Sequence, residues 1–234
     1  FFNVVIDRTA SGEKLGGRSR CNKCNAQLVW WQLIPVISFV VLRGKCHKCK
    51  VKIPWHYSFV ELLTAVFFVF LWQKYGAFST EFILSLVVVS SFIILFWQDA
   101  LYGLLQDVIT IPSIILIFAL RLSIGINFFD VILATALGGL FFWIQHYLSG
   151  GKWVGVGDIR LGALLGAVLG LKGLLLALGV GYIFGAFVAL LLLISKKVSS
   201  QSKLPLGVFL IPAGAVVFFW GEEILNAYFS ISFF

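Results

Sequence analysis

From residue 57 onward the chain is a succession of apolar stretches, each close to the length of a bilayer-crossing helix and nearly free of charge. About 20 such residues in helical form cross the hydrocarbon of a membrane. Backbone groups in lipid have to pair within their own segment or within a closed barrel. These runs are continuous rather than alternating, which argues for helices and against a barrel. Composition agrees, since 60% of the 234 residues are hydrophobic and 12% charged, about half the charged share of a soluble domain.

The expected fold is therefore an all-α polytopic membrane protein with about eight transmembrane helices, the first truncated. Apolar length and punctuation place helices at 57–73, 79–98, 108–125, 129–149, 159–170, 172–195 and 206–230, after a helix end at 1–5. The sequence opens on Phe1-Phe2-Asn3 and contains no Met, so residues are expected to precede Phe1. Residues 6–56 form a polar loop, and 57–234 the helical core. The segment 159–170 is too short to span alone. Gly166, Gly170, Gly173, Gly179, Gly181 and Gly185 suit close helix approach. No internal repeat is evident.

Basic residues set the orientation. Residues 6–55 hold ten of the eighteen Lys and Arg. If that loop is cytoplasmic, alternation puts Lys152, Arg160, Lys196, Lys197 and Lys203 inside, and only Lys74, Arg121 and Lys172 outside. This split satisfies the positive-inside rule. It also accounts for the net charge of +8 through anionic lipid rather than nucleic acid.

Within the loop, CNKC at 21–24 and CHKC at 46–49 offer four thiolates, Cys21, Cys24, Cys46 and Cys49. Paired CxxC knuckles are the pattern of a tetrahedral zinc site. Two disulfides are the competing reading, disfavoured in a reducing compartment. His47 is a solvated knuckle residue or a substitute ligand. The insert LVWWQLIPVISFVVL (28–42) is broken by Pro35, and it is expected to lie at the membrane surface with Trp30 and Trp31 at headgroup level.

Acids at membrane depth are costly and point to function. Asp107 suits a helix N-cap, Asp130 a cap in the outer loop, and Glu61 a partner for a loop cation or a neighbouring helix. Glu222 and Glu223 mark a polar interruption in the last helix. Asp99 closes helix 79–98 and Asp158 opens helix 159–170, on the same side of the membrane. The helix dipole opposes negative charge at the first and favours it at the second. Two neighbouring carboxylates treated so differently divide into one proton donor and one base. Gly155 and Gly157, in GVGD, leave room for an extended substrate backbone and tolerate unusual φ values.

On these residues the chain resembles the bacterial type IV prepilin peptidases, GxGD intramembrane aspartyl proteases. The likeness runs through FFNVVIDR, SRCNKC, WWQLIPVISFVVLRGKCHKC, VELL, WQDALYGLLQDVITIP, GVGDIRLGALLG and LPLGVFLIPA. The resemblance implies an aspartic endopeptidase of the bacterial inner membrane with Asp99 and Asp158 as catalytic pair and Asp107 as a nearby acid. Its substrates would be type IV prepilins or pseudopilins, cut at the cytoplasmic face. It further implies structural Zn2+ and an S-adenosylmethionine-dependent N-methylation, with Asn3, Arg8 and Glu61 as candidates for the methyl-donor site. Gln106 and Gln32 stand where the family commonly has Pro and an acid.

Two readings from other classes compete. A proton-coupled transporter would place its acids nearer the bilayer midplane in repeated, broken helices. A membrane-anchored zinc module would leave GVGD without a purpose.

Overall fold

A computed structural model describes residues 1–76, 78–196 and 204–232, with side chains described as far as Tyr228. Lys197 and Lys203, counted above for orientation, lie outside the described residues. The described chain is helical: α1 (Phe2–Ala10), α2 (Ile37–Val41), α3 (Trp55–Tyr75), α4 (Thr80–Tyr102), α5 (Asp107–Ser123), α6 (Phe128–Leu148), α7 (Val156–Ile194) and α8 (Gly207–Ser232), with a 3-10 turn at Trp30–Leu33. Five of these, α3, α4, α6, α7 and α8, are long and apolar enough to span a membrane, so the chain is a multi-pass membrane protein. Two compact units emerge, Phe1–Phe82 and Ile83–Phe234.

In the first unit α1 runs on to Ala10 and packs on α3. Asn3 donates to the Tyr57 carbonyl at 2.9 Å. Asp7 accepts a hydrogen bond from the Tyr57 hydroxyl, and Asn22, inside the first knuckle, donates to that hydroxyl at 3.1 Å. α3 follows Pro54 and stops at Gly76, whose φ of 72° ends the helix in a region that favours glycine.

The knuckles do repeat, contrary to the expectation that nothing in the chain does. Cys21 N–H donates to Ala26 O and Cys46 N–H to Val51 O, while Asn25 and Lys50 both return to the first cysteine carbonyl of their knuckle. Asn25 and Lys50 share positive φ, 53° and 57°, and each knuckle is closed by one antiparallel bridge, Arg20 with Gln27 and Lys45 with Lys52. Only CxKC and a basic residue before it are common to the two sequences, too little to register as a repeat.

In the second unit α7 packs against α5, α6 and α8 around Leu95, Ile117, Phe142, Leu161, Leu164, Leu165, Leu174 and Leu210, all fully buried. A continuous helix of 39 residues would be about 58 Å long, nearly twice the hydrocarbon thickness. It is not continuous: Gly170, at φ 69° and ψ 179°, occupies a region open essentially to glycine alone. The two helices expected at 159–170 and 172–195 are thus the two halves of α7.

Small residues let α6 and the first half of α7 cross at backbone contact. A Cβ on Gly138 would run into the Gly162 carbonyl, and one on Gly166 into the Ala134 carbonyl. Gly181 and Gly185 make room instead for the side chains of Leu210 and Phe209 of α8. Gly179 does not share this role, because nothing lies within 4 Å of where its Cβ would be. The cap expected of Asp130 belongs instead to Asn127, whose side chain accepts from Phe129 N–H at 2.9 Å, leaving Asp130 in the first turn of α6.

Candidate functional site

Asp99 sits in the last turn of α4 and is 5% exposed. Its carboxylate accepts the Val208 N–H at 3.0 Å. This is a free N–H group of the first turn of α8, which no helical carbonyl satisfies. Gly207 is required by this approach, since a Cβ there would come within 2.6 Å of Asp99 Oδ2. Asp158 lies in the first turn of α7 and accepts the Gly155 N–H at 2.9 Å, a reciprocal bond of the capping kind.

This arrangement revises the expected division between the acids. Asp99 does end a helix, but the start of α8 also points at it, so each carboxylate receives N–H groups from a helix N-terminus. The contact crosses 109 residues of sequence and follows from no local pattern. The glycines differ from expectation too. Gly155 is extended, at φ −78°, Gly157 is helical, and neither has positive φ. Gly157 is needed because its Cβ would lie 2.9 Å from that of Leu105, in the connection between α4 and α5. Gly155 is exposed, and the nearest side-chain atom to its absent Cβ is Asp158 Oδ2, at 3.4 Å.

Asp107 is the first residue of α5 rather than its N-cap, which is Gln106. Its carboxylate pairs with Arg160 of α7, a partner too distant in sequence for capping rules to suggest. Side-chain exposures of 50% and 34% mark this as a solvent-screened pair of modest energy.

In the first unit the four cysteine Sγ atoms lie within 4.8 Å of one another, and Cys21 and Cys49 are 3.8 Å apart. A tetrahedral ion with bonds of about 2.3 Å has sulfur edges of about 3.8 Å, so the cluster fits a four-coordinate metal ion. The Cys46 thiol is pulled down to about 6, chiefly by the Cys49 N–H, then by the Lys48 N–H and the adjoining thiols, against desolvation. At Cys49 the Val51 N–H lowers the value, but desolvation and the thiols of Cys24, Cys46 and Cys21 outweigh it and push the group up to about 11. Thiols that lose protons so unequally give them all up to a divalent ion. His47 is exposed and meets the Trp31 ring edge-on at 5.9 Å, outside the sulfur cluster.

Asn3, Arg8 and Glu61 each hydrogen-bond to backbone within the first unit. Asn3 donates to Tyr57 O, with its buried Oδ1 unpartnered. Arg8 reaches the carbonyls of Lys14, Leu15, Gly16 and Arg18. Glu61 accepts the Val36 N–H at 2.9 Å, holding a residue at φ 61°. Beyond Val36, the insert exposes Trp30, Leu33, Ile37, Val40 and Val41, an apolar patch suited to a membrane surface.

Comparison with known proteins gives two family matches. Residues 1–75 match the Bacterial Peptidase A24 N-terminal domain, and residues 86–190 match the Type IV leader peptidase family. Among curated relatives, a Pseudomonas putida protein is 32% identical over 217 residues, covering 88% of this chain and 73% of the relative. One from Myxococcus xanthus is 33% identical over 201 residues, covering 83% and 60%. One from Legionella pneumophila is 32% identical over 216 residues, covering 90% and 75%. All three are named prepilin leader peptidase/N-methyltransferase. No solved structure matches the chain.

Proposed function

The chain belongs to the type IV leader peptidase family and is a peptidase, and from that premise we propose that it is a membrane-embedded aspartic endopeptidase with Asp99 and Asp158 as its catalytic pair. The observation that carries this reading is two carboxylates on helices distant in sequence, each accepting a backbone N–H at the start of a helix. An ionised carboxylate takes a proton from water as the water oxygen attacks the scissile carbonyl. The protonated partner hydrogen-bonds the developing oxyanion. Collapse of the tetrahedral intermediate breaks the C–N bond, and the leaving amine receives a proton from the pair. Such carboxylates titrate as one unit.

The substrates are type IV prepilins or pseudopilins, and cleavage occurs at the cytoplasmic face of the bacterial inner membrane. The asymmetry of Lys and Arg supports that orientation. Zn2+ at Cys21, Cys24, Cys46 and Cys49 ties the two knuckles together and has a structural role. N-methylation of the new amino terminus is proposed from the relatives' names alone, and no step of it is assigned to a residue.

The test uses protein purified in detergent with a prepilin-derived peptide. Asp99→Asn and Asp158→Asn are each expected to abolish cleavage while preserving thermal stability. Continued cutting by either variant refutes the catalytic assignment. Transfer of a labelled methyl group to the cleaved peptide tests the second activity separately.

A further inference from the structure

The break in α7 leaves carbonyls without helical partners inside an apolar core. Each such group costs several kcal/mol in lipid if left unpaired. One side chain of α5 answers two of them: Arg121 Nη1 donates to Ala167 O at 3.1 Å and to Val168 O at 2.5 Å. Its Nη2 lies 3.6 Å from where a Gly170 Cβ would be. A cation at a helix C-terminus also meets the negative end of the dipole.

The other end of α5 is tied as well, through Asp107 to Arg160. Asp107 and Arg121 stand about 21 Å apart along α5, and their partners, Arg160 and the carbonyls of Ala167 and Val168, follow in the same order about 11 Å apart along the first half of α7. α5 and this half of α7 therefore run parallel and are fastened twice. Asp158 is two residues from Arg160 within that fastened segment. The positive-inside count treats Arg121 as an outer-boundary charge, and its Nη1 closes backbone at the end of this half of α7.

We propose that Arg121 is a positioning residue: by holding the carbonyls at the α7 break it fixes the depth and rotation of the segment that carries Asp158. This rests on the aspartic reading above. A misplacement of about 1 Å remote from the chemistry can lower a rate about a hundredfold, whereas affinity for a peptide spread over a large surface changes little.

The experiment measures kcat and KM per folded molecule in detergent for Arg121→Gln and Arg121→Lys, with Asp158→Asn alongside. Arg121→Gln is expected to lower kcat roughly tenfold to a hundredfold with KM within about twofold. Lysine keeps the charge but lacks the planar fork, so Arg121→Lys should recover most of the loss and still fall about threefold short. A wild-type kcat in Arg121→Gln, or a loss confined to KM, overturns the proposal while a dead Asp158→Asn leaves the catalytic pair standing. If Arg121→Gln cannot be purified folded, Arg121→Lys decides: a threefold or greater fall in kcat at wild-type KM supports the role, and a wild-type kcat overturns it. An active Asp158→Asn sinks both readings together.

Discussion

Gly166→Ala is a sensitive probe of how this core is held. A Cβ at Gly166 would press on the Ala134 carbonyl, 2.5 Å from its carbon and 2.9 Å from Thr135 Cα. Every one of these atoms is backbone, so no side chain can rotate away. Helices α6 and α7 would have to part by roughly an ångström, and overpacking of a tight core costs about 1–3 kcal/mol, with rigid neighbours favouring the upper end. For a chain of this size each kcal/mol moves the midpoint by about 2–4 °C, so Gly166→Ala should melt about 6–12 °C below wild type. Gly179→Ala is the matched control. It is helical with open space at its Cβ, and alanine's better helix propensity, worth about 1 kcal/mol, should leave its midpoint unchanged or slightly raised. Thermal unfolding in detergent, followed by tryptophan fluorescence, measures both. A Gly166→Ala midpoint within 2 °C of wild type, or an equal loss in Gly179→Ala, would refute the claim that the two helices cross at backbone contact.

At the α8 end, Gly207→Ala puts a methyl group 2.6 Å from Asp99 Oδ2; the carboxylate moves aside, and kcat should drop at least about tenfold with little change in melting, as read in the peptide-cleavage assay. In the cysteine loop, Cys46→Ser should lower bound metal to a small fraction of one ion per chain by elemental analysis and expose 6–56 to limited proteolysis. Acid should do likewise. Protons compete with the ion for the four thiolates, so metal release as pH falls is the expected sign.

What the sequence made legible was whatever depends on segment length and short-range chemistry. The apolar runs located the long helices and separated the two halves of α7, while Gly170, read for close helix approach, serves the break through a conformation open essentially to glycine. Two CxxC pairs announced the sulfur cluster for the same reason: each knuckle is a local turn. What stayed hidden depends on partners distant in the chain. Capping rules assign Asp107 to its own helix, yet its carboxylate goes to Arg160, and charge counting makes Arg121 a boundary residue, yet its donors close the end of another helix. Gly157 lies in a motif that suggests substrate access, while the atom excluding its side chain is Leu105 Cβ, placed by the packing of the α4–α5 connection.

The same distinction changes how the proposed chemistry divides between its acids. Helix ends read locally give Asp99 an unfavourable dipole and Asp158 a favourable one, so a fixed donor and a fixed base. With the first turn of α8 pointing at Asp99, both anions receive backbone N–H groups, and neither carboxylate is singled out by its own helix. Under the proposed mechanism the two carboxylates share one proton, and its location depends on which N–H contact is kept. Of the two supports, the one at Asp158 comes from its own helix turn, three residues away, whereas the one at Asp99 comes from a separate helix. A shift of α8 therefore removes support from Asp99 alone and moves the shared proton onto it. Substrate that displaces the Gly207 turn would make Asp99 the acid and Asp158 the base, an assignment decided by binding instead of by the resting fold.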